Sequence, residues 1–257
     1  MSQSLKGAAD SSKPRPTENH HLPIEENPDR LRGDLIAMVY HDIRSPLSTI
    51  VASLEVLSSL SPGAQDATAQ SMIEIAQRSA NRIQHLVDSL LDIDRLESGQ
   101  EIGSRAPTAL QVTVDEAVRL ILPMAEIKGI NVIQSVEAHL PQVNIDEDMI
   151  LRVLINLLEN AVKFSRGQGT IQVSLQQQGD MILTAIRDDG PGIAPDEQER
   201  IFQKYARPNI LSDGGGLGLG LAYSRLAVKS HGGQIWVESQ PGNGAVFKFT
   251  LPTARSY

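Results

Sequence analysis

One histidine, His41, stands five residues ahead of a proline in the stretch His41-Asp42-Ile43-Arg44-Ser45-Pro46-Leu47. An imidazole nitrogen is a nucleophile, and the carboxylate of Asp42, next in the chain, could hold the ring or take its proton. Pro46 has no N–H, and its ring presses on the carbonyl of residue i−4, which belongs to Asp42. A helix through this stretch is therefore expected to distort beside His41. Taken alone, the pattern also fits a surface histidine on an amphipathic helix.

Farther along, Asn156, Asn160 and Lys163 follow at steps of four and three, which sets all of them on one helical face. Neutral amide oxygens suit a Mg2+ ion already neutralised by phosphate oxygens, and a lysine adds a point charge for phosphate. The opposite face carries Leu154, Leu157, Leu158 and Ala161. The same triplet also fits the exposed side of an ordinary amphipathic helix. Asp188-Asp189-Gly190-Pro191-Gly192 ends an apolar alternating run. A carboxylate there can accept the exocyclic amine of adenine, whereas guanine presents a carbonyl at that point, so the contact would select ATP. As a sequence alone it could also be a turn. Gly214-Gly215-Gly216-Leu217-Gly218-Leu219-Gly220-Leu221 then runs straight into a helical pattern. Glycine amides at a helix N-terminus bind phosphate oxygens, and a flexible linker would not alternate Leu and Gly into an apolar helix.

These residues need elements to hold them. From about residue 29 to 60, Ile36, Tyr40, Ile43, Leu47, Ile50, Leu54 and Leu57 recur at alternating steps of four and three, a heptad seam. Ser61-Pro62-Gly63 breaks it. Met72, Ala76, Ser79, Ile83, Leu86, Leu90 and Ile93 form a second seam. Two helices, each roughly 45–50 Å long at 1.5 Å per residue, joined by a short turn make an antiparallel hairpin. Val39, Val51, Val87 and Leu91 fall off the seams and widen the apolar surface, which a homodimer with a four-helix bundle would cover. Beyond a linker the period changes. Helices are expected over about 114–128, 146–164 and 219–230. Strands are expected over 130–136, 171–175, 181–187, 234–238 and 245–251. The resulting fold class is α+β: a long helical hairpin followed by an α/β sandwich. The expected domains are a disordered tail over 1–28, a hairpin over 29–98, a linker over 99–107, a sandwich over 108–252 and a C-terminal tail over 253–257.

In this order the motifs resemble the sensor histidine kinases of two-component systems. His41–Leu47 resembles their H box, Asn156–Phe164 the N box, Asp188–Ile193 the first glycine box, Ile201–Arg207 the F box and Gly216–Leu221 the second glycine box. His231-Gly232-Gly233, Glu238-Ser239 and Gly242-Asn243-Gly244-Ala245 resemble the closing signature. The resemblance covers about residues 30–252 and implies an ATP-dependent autokinase with His41 as phosphoacceptor and Asp42 beside it. It implies ATP and Mg2+ as the cofactors, Asn160 as metal ligand, Asn156 and Lys163 at the phosphates, and Asp188 at adenine. Gly190 and Gly192 begin, and Gly216, Gly218 and Gly220 end, a mobile lid over about 198–213. The implied partners are the receiver domain of a response regulator and a second copy of the chain. Asp42 stands where Glu is more usual, Leu217 where Thr is frequent and Tyr205 where Phe is frequent. Ser45 keeps a hydroxyl where Thr or Asn commonly positions a hydrolytic water, which leaves phosphatase activity toward the regulator open.

Bulk composition narrows the field. The 257 residues carry a formal charge of −8, which argues against nucleic-acid binding and against a basic membrane patch. Absent cysteines exclude disulfides and zinc–thiolate sites. No apolar run is long enough to span a membrane, and the polar N-terminus does not read as a signal peptide, so a cytoplasmic location is expected. With no sensory module legible, input is expected from a separate sensory protein, the tail or chain beyond this sequence. Two other function classes compete. An ATPase of the gyrase and chaperone type typically places a glutamate base four residues before the metal Asn, where this chain has Asn156. A non-catalytic ATP-binding scaffold would keep the dimer and lose the transfer.

Overall fold

The computed structural model describes residues 43–57, 66–98, 104–206 and 218–254. His41, Asp42, Gly216 and the expected turn at Pro62 lie outside them. Helix α1 runs over 43–57 and continues unbroken through the buried Pro46. Its hydroxyls bond back along the helix, Thr49 Oγ1 to the Ser45 carbonyl at 3.2 Å and Ser53 Oγ to the Thr49 carbonyl at 2.8 Å. Helix α2, Asp66–Glu97, has 32 residues and is about 48 Å long at 1.5 Å per residue, as expected from the second seam.

The remaining elements are β1 (Ala106–Thr108), α3 (Leu110–Ile127), β2 (Asn131–Val136), β3 (Val143–Ile145) and α4 (Glu147–Phe164). They continue with β4 (Thr170–Gln178), β5 (Met181–Arg187), a 3-10 turn at Arg200–Phe202, α5 (Gly220–Ser230), β6 (Ile235–Ser239) and β7 (Ala245–Pro252). Five strands form one sheet in the order β2-β4-β5-β7-β6, with β2 parallel to β4 and the other pairs antiparallel. Side chains alternate faces along each strand. Ile171, Val173 and Leu175 of β4, Ile182 and Ile186 of β5, and Phe247, Phe249 and Leu251 of β7 therefore meet in one buried layer. Leu154, Leu157, Leu158 and Ala161 of α4 are fully buried with them, so the expected apolar face of that helix is its core face.

Helix α4 is secured at both ends. The Asp146 carboxylate accepts the Met149 N–H at 3.0 Å, with Glu147 and Asp148 favouring the positive end of the helix. At the other end Lys128 Nζ donates to the carbonyls of Val162 and Lys163, both at 2.8 Å. A second small sheet pairs β1 antiparallel to β3. β1 begins inside the stretch read as linker, and helix α3 starts at Leu110 rather than near Val114. Thr253 and Ala254, assigned to the C-terminal tail, donate backbone hydrogen bonds to the carbonyls of Asp180 and Gln142.

Candidate functional site along helix α4

The site-bearing face of α4 touches both glycine segments. Near its middle, Asn156 Nδ2 donates to the Gly220 carbonyl at 3.2 Å, which fixes the start of α5 against α4. At its C-terminal end the carbonyl of Phe164 packs against Gly190, where a Cβ would come within 2.9 Å of it. The two contacts are eight residues apart, or about 12 Å along the axis, of the order of an extended nucleoside triphosphate. Asn160 lies between them, half-buried, and among the described residues its amide has no hydrogen-bond partner. Lys163 is exposed, with its ammonium 5.1 Å from the Phe164 ring centroid.

Asp188 is only 5% exposed at the end of β5. Its Oδ1 accepts the backbone N–H of Gly190 at 2.9 Å and of Ala245 at 3.2 Å. Burial pushes its carboxyl above the ordinary value, opposed by those two N–H groups, which favour the ionised form. Both hydrogen bonds use one oxygen, Oδ1. Gly192, with φ +76, lies so close to the Gln240 carbonyl that a Cβ would come within 2.1 Å, so only glycine fits.

At the far side, the Tyr205 N–H donates to the Gly218 carbonyl at 3.2 Å. This bond joins the chain on either side of residues 207–217, which lie outside the described ones and take in the second half of the lid expected over about 198–213. Gly218, at φ +66, leaves no room for a Cβ beside the Ala206 carbonyl at 2.6 Å.

Fit to a metal ion is decided by the donor set. Among the described residues no group of three or more His, Cys, Asp and Glu side chains gathers to hold one. A cation at Asn160 would thus need most of its oxygens from substrate phosphates and water, and an unengaged amide on the site face suits that demand.

A contact with no motif behind it joins this domain to the hairpin. Arg152, one turn before Asn156, donates to Asp92 Oδ2 and Ser89 Oγ of α2, each at 2.5 Å. Its guanidinium also stacks 4.3 Å from the ring centroid of Tyr223 on α5. Tyr223 is buried, and burial pushes its hydroxyl up to about 12. Lys204, next to Tyr205, pairs with Glu97 at the end of α2.

Comparison with known proteins follows the same division. Residues 31–99, which include His41, match the family "His Kinase A (phospho-acceptor) domain". Residues 145–255 match "Histidine kinase-, DNA gyrase B-, and HSP90-like ATPase". A phospho-acceptor domain followed by a nucleotide domain defines the class, and the chain belongs to the sensor histidine kinases. Sensor protein KdpD of Escherichia coli (strain K12) is 36% identical over 229 residues, covering 87% of this chain and 25% of that protein. The adaptive-response sensory kinase SasA of Synechococcus sp. (strain JA-3-3Ab) is 34% identical over 224 residues, 86% of this chain and 59% of that protein. The crystal structure of full-length ShkA in complex with AMPPNP superposes with a TM-score of 0.64 at 26% identity, covering 87% of this chain and 46% of that one. The chain thus spans less than two-thirds of the curated relatives' own length. Among the described residues no helix is long and apolar enough to cross a membrane.

Proposed function

We propose that this chain is an ATP-dependent histidine autokinase that phosphorylates His41 and passes the phosphoryl group to an aspartate in the receiver domain of a response regulator. The observation that carries this reading is the placement of both glycine segments on α4, with Asp188 at one end and Asn156 bonded to Gly220 nearer the other. ATP would lie along that face, its adenine amine donating to the Asp188 carboxylate. Asn160 would hold Mg2+, which offsets charge on the phosphates, while Lys163 and the amides near Gly216, Gly218 and Gly220 face them. Gly190 and Gly192 on one side and Gly218 on the other are the hinges of the lid.

In the transfer step a nitrogen of His41 bonds the γ-phosphorus as the bond to the bridging oxygen breaks and ADP departs. Asp42 holds the ring and takes its proton. Asn156 has no basic oxygen to activate water, which favours transfer to another nucleophile over hydrolysis. The hairpin over 29–98 would dimerise with a second copy and present His41 to the sandwich over 108–252, across a linker at 99–107.

Incubation with γ-labelled ATP and Mg2+, comparing the native chain with His41→Gln, tests this. Acid-labile, alkali-stable label absent from the mutant is expected. Label that survives in His41→Gln would remove His41 as acceptor, and ATP binding without any label would point to a non-catalytic scaffold.

A further inference from the structure

The Asp188–Ile193 loop is not held by its own strand alone. Its second wall is the turn between β6 and β7, and one of the contacts between them runs through a single hydroxyl. Ser239 Oγ accepts the Ile193 N–H at 2.8 Å and donates its own proton to the Gly244 carbonyl at 2.6 Å. Both roles of that hydroxyl are used, and it links the Ile193 N–H of the loop to the Gly244 carbonyl of the turn. Gln198 repeats the tie from the lid side, its Nε2 donating to the Ser239 carbonyl at 2.8 Å and to the Ile193 carbonyl at 3.2 Å. Behind them Gly242 N–H donates to the Pro191 carbonyl at 2.6 Å. Ala245, next after Gly244, donates to Asp188 Oδ1. The position of the Asp188 carboxylate and the start of the lid therefore depend on the same clamp.

We propose that Ser239 and Gln198 are positioning residues of the nucleotide site, setting Asp188 and the lid's first hinge for adenine without touching the reacting atoms. The inference rests on the ATP reading above. A base whose polar reader is displaced binds more weakly, whereas phosphoryl transfer, which takes place at the opposite end of the site, proceeds unchanged once ATP is bound. Ser239→Ala removes an acceptor and a donor together and orphans two part-buried backbone groups. Ser239→Thr keeps the hydroxyl on a residue that suits a strand.

The experiment measures KM for ATP and kcat of autophosphorylation in the native chain, Ser239→Ala, Ser239→Thr and Gln198→Leu, with a thermal melt of each. Ser239→Ala is expected to raise KM about tenfold, the equivalent of one lost hydrogen bond, with kcat within about twofold. Gln198→Leu should raise KM by a smaller factor, and Ser239→Thr should restore the native value. A general packing role would instead lower the melting temperature and kcat together. An unchanged KM in both Ser239→Ala and Gln198→Leu, with the native chain binding ATP, would overturn the inference. Native chain that fails to bind ATP would overturn the reading beneath it instead.

Discussion

The hairpin and the sandwich treat their apolar residues in opposite ways. In the sandwich, Leu154, Leu157, Leu158, Ile171 and Phe249 are fully buried within a single chain. In the hairpin, Leu47, Val51, Leu54, Val87 and Leu91 remain between 41% and 54% exposed. The sandwich buries a core of its own, with Val112, Leu120 and Ile127 of α3 left exposed on its surface, whereas among the described leucine, isoleucine and valine side chains of the hairpin only Ile93 is buried. The exception is the end of α2, where Ile93 is buried in the sandwich's own core cluster and Leu90 and Leu96 pack against it. Folding of the sandwich is thus a property of the chain, whereas completion of the hairpin is a property of the proposed dimer.

The single tryptophan, Trp236, lies on β6 of the sandwich, so its fluorescence follows that domain while self-association is measured separately. Leu157→Ala should have the largest effect, since it opens a cavity in a site that is 0% exposed. A loss of about 3–5 kcal/mol is expected from such truncations, read from the denaturant midpoint of Trp236 fluorescence. Dimerisation measured by light scattering should survive it. If the dimer dissociates as well, the two regions are less independent than their burial suggests.

The converse substitution is Leu54→Glu. It places a charge on the uncovered face of α1 and is expected to weaken self-association at least about 100-fold, equivalent to roughly 3 kcal/mol, while the Trp236 midpoint stays put. A mutant that remains dimeric would move the interface away from this face.

How far these features were legible in the sequence depends on their range. The apolar face of α4 followed from helical spacing, and Leu154, Leu157, Leu158 and Ala161 are all fully buried. Strand β5 was expected at its observed limits because alternation there ends at an acid and two glycines. β1 and β3 escaped because three residues, Pro107 among them, carry too little periodicity to read. The Arg152 contact escaped for another reason. Asp92 lies 60 residues from it in sequence, and no local pattern relates an arginine to an aspartate and a tyrosine brought together by the packing of three helices. His41, Asp42 and Gly216 were singled out by motif and lie outside the described residues.

Arg152 is where the comparison is sharpest, because it crosses from one region to the other. Arg152→Met keeps the stem that packs on Tyr223 and removes the charge from Asp92. The ion pair is about a quarter exposed on each side, so the loss should fall below that of a fully buried pair, at about 1–3 kcal/mol. A double-mutant cycle with Asp92→Asn, followed by Trp236 fluorescence, isolates the pair from the stacking. No coupling between the two would mean that Arg152 acts through Tyr223 and Ser89 rather than through the ion pair with Asp92.

The smallest expected effect is a pH dependence confined to the sandwich. His231, at the C-cap of α5, accepts the Asp146 N–H on Nε2 at 3.0 Å, while its Nδ1 bonds the Ala227 carbonyl at 2.7 Å. Nδ1 is therefore the protonated nitrogen, and a second proton would have to displace the Asp146 N–H at the start of α4. Burial lowers the pKa of His231, and the nearby Arg105 charge lowers it further. The Ala227 bond and the Asp146 carboxylate act the other way. An unfolded histidine titrates near 6.5, so below that the unfolded chain binds a proton that the folded chain refuses. Stability then falls as the pH drops. The contribution is fully present above about pH 6.5 and lost as acidification approaches the lower folded value. The Trp236 midpoint of the native chain should decline between about pH 7 and 5, and His231→Gln should flatten that decline from a lower starting stability. Because the site-bearing helix begins at Asp146, the same acidification should weaken the sandwich before it alters the exposed apolar face of the hairpin. An identical slope in His231→Gln would assign the proton to another group.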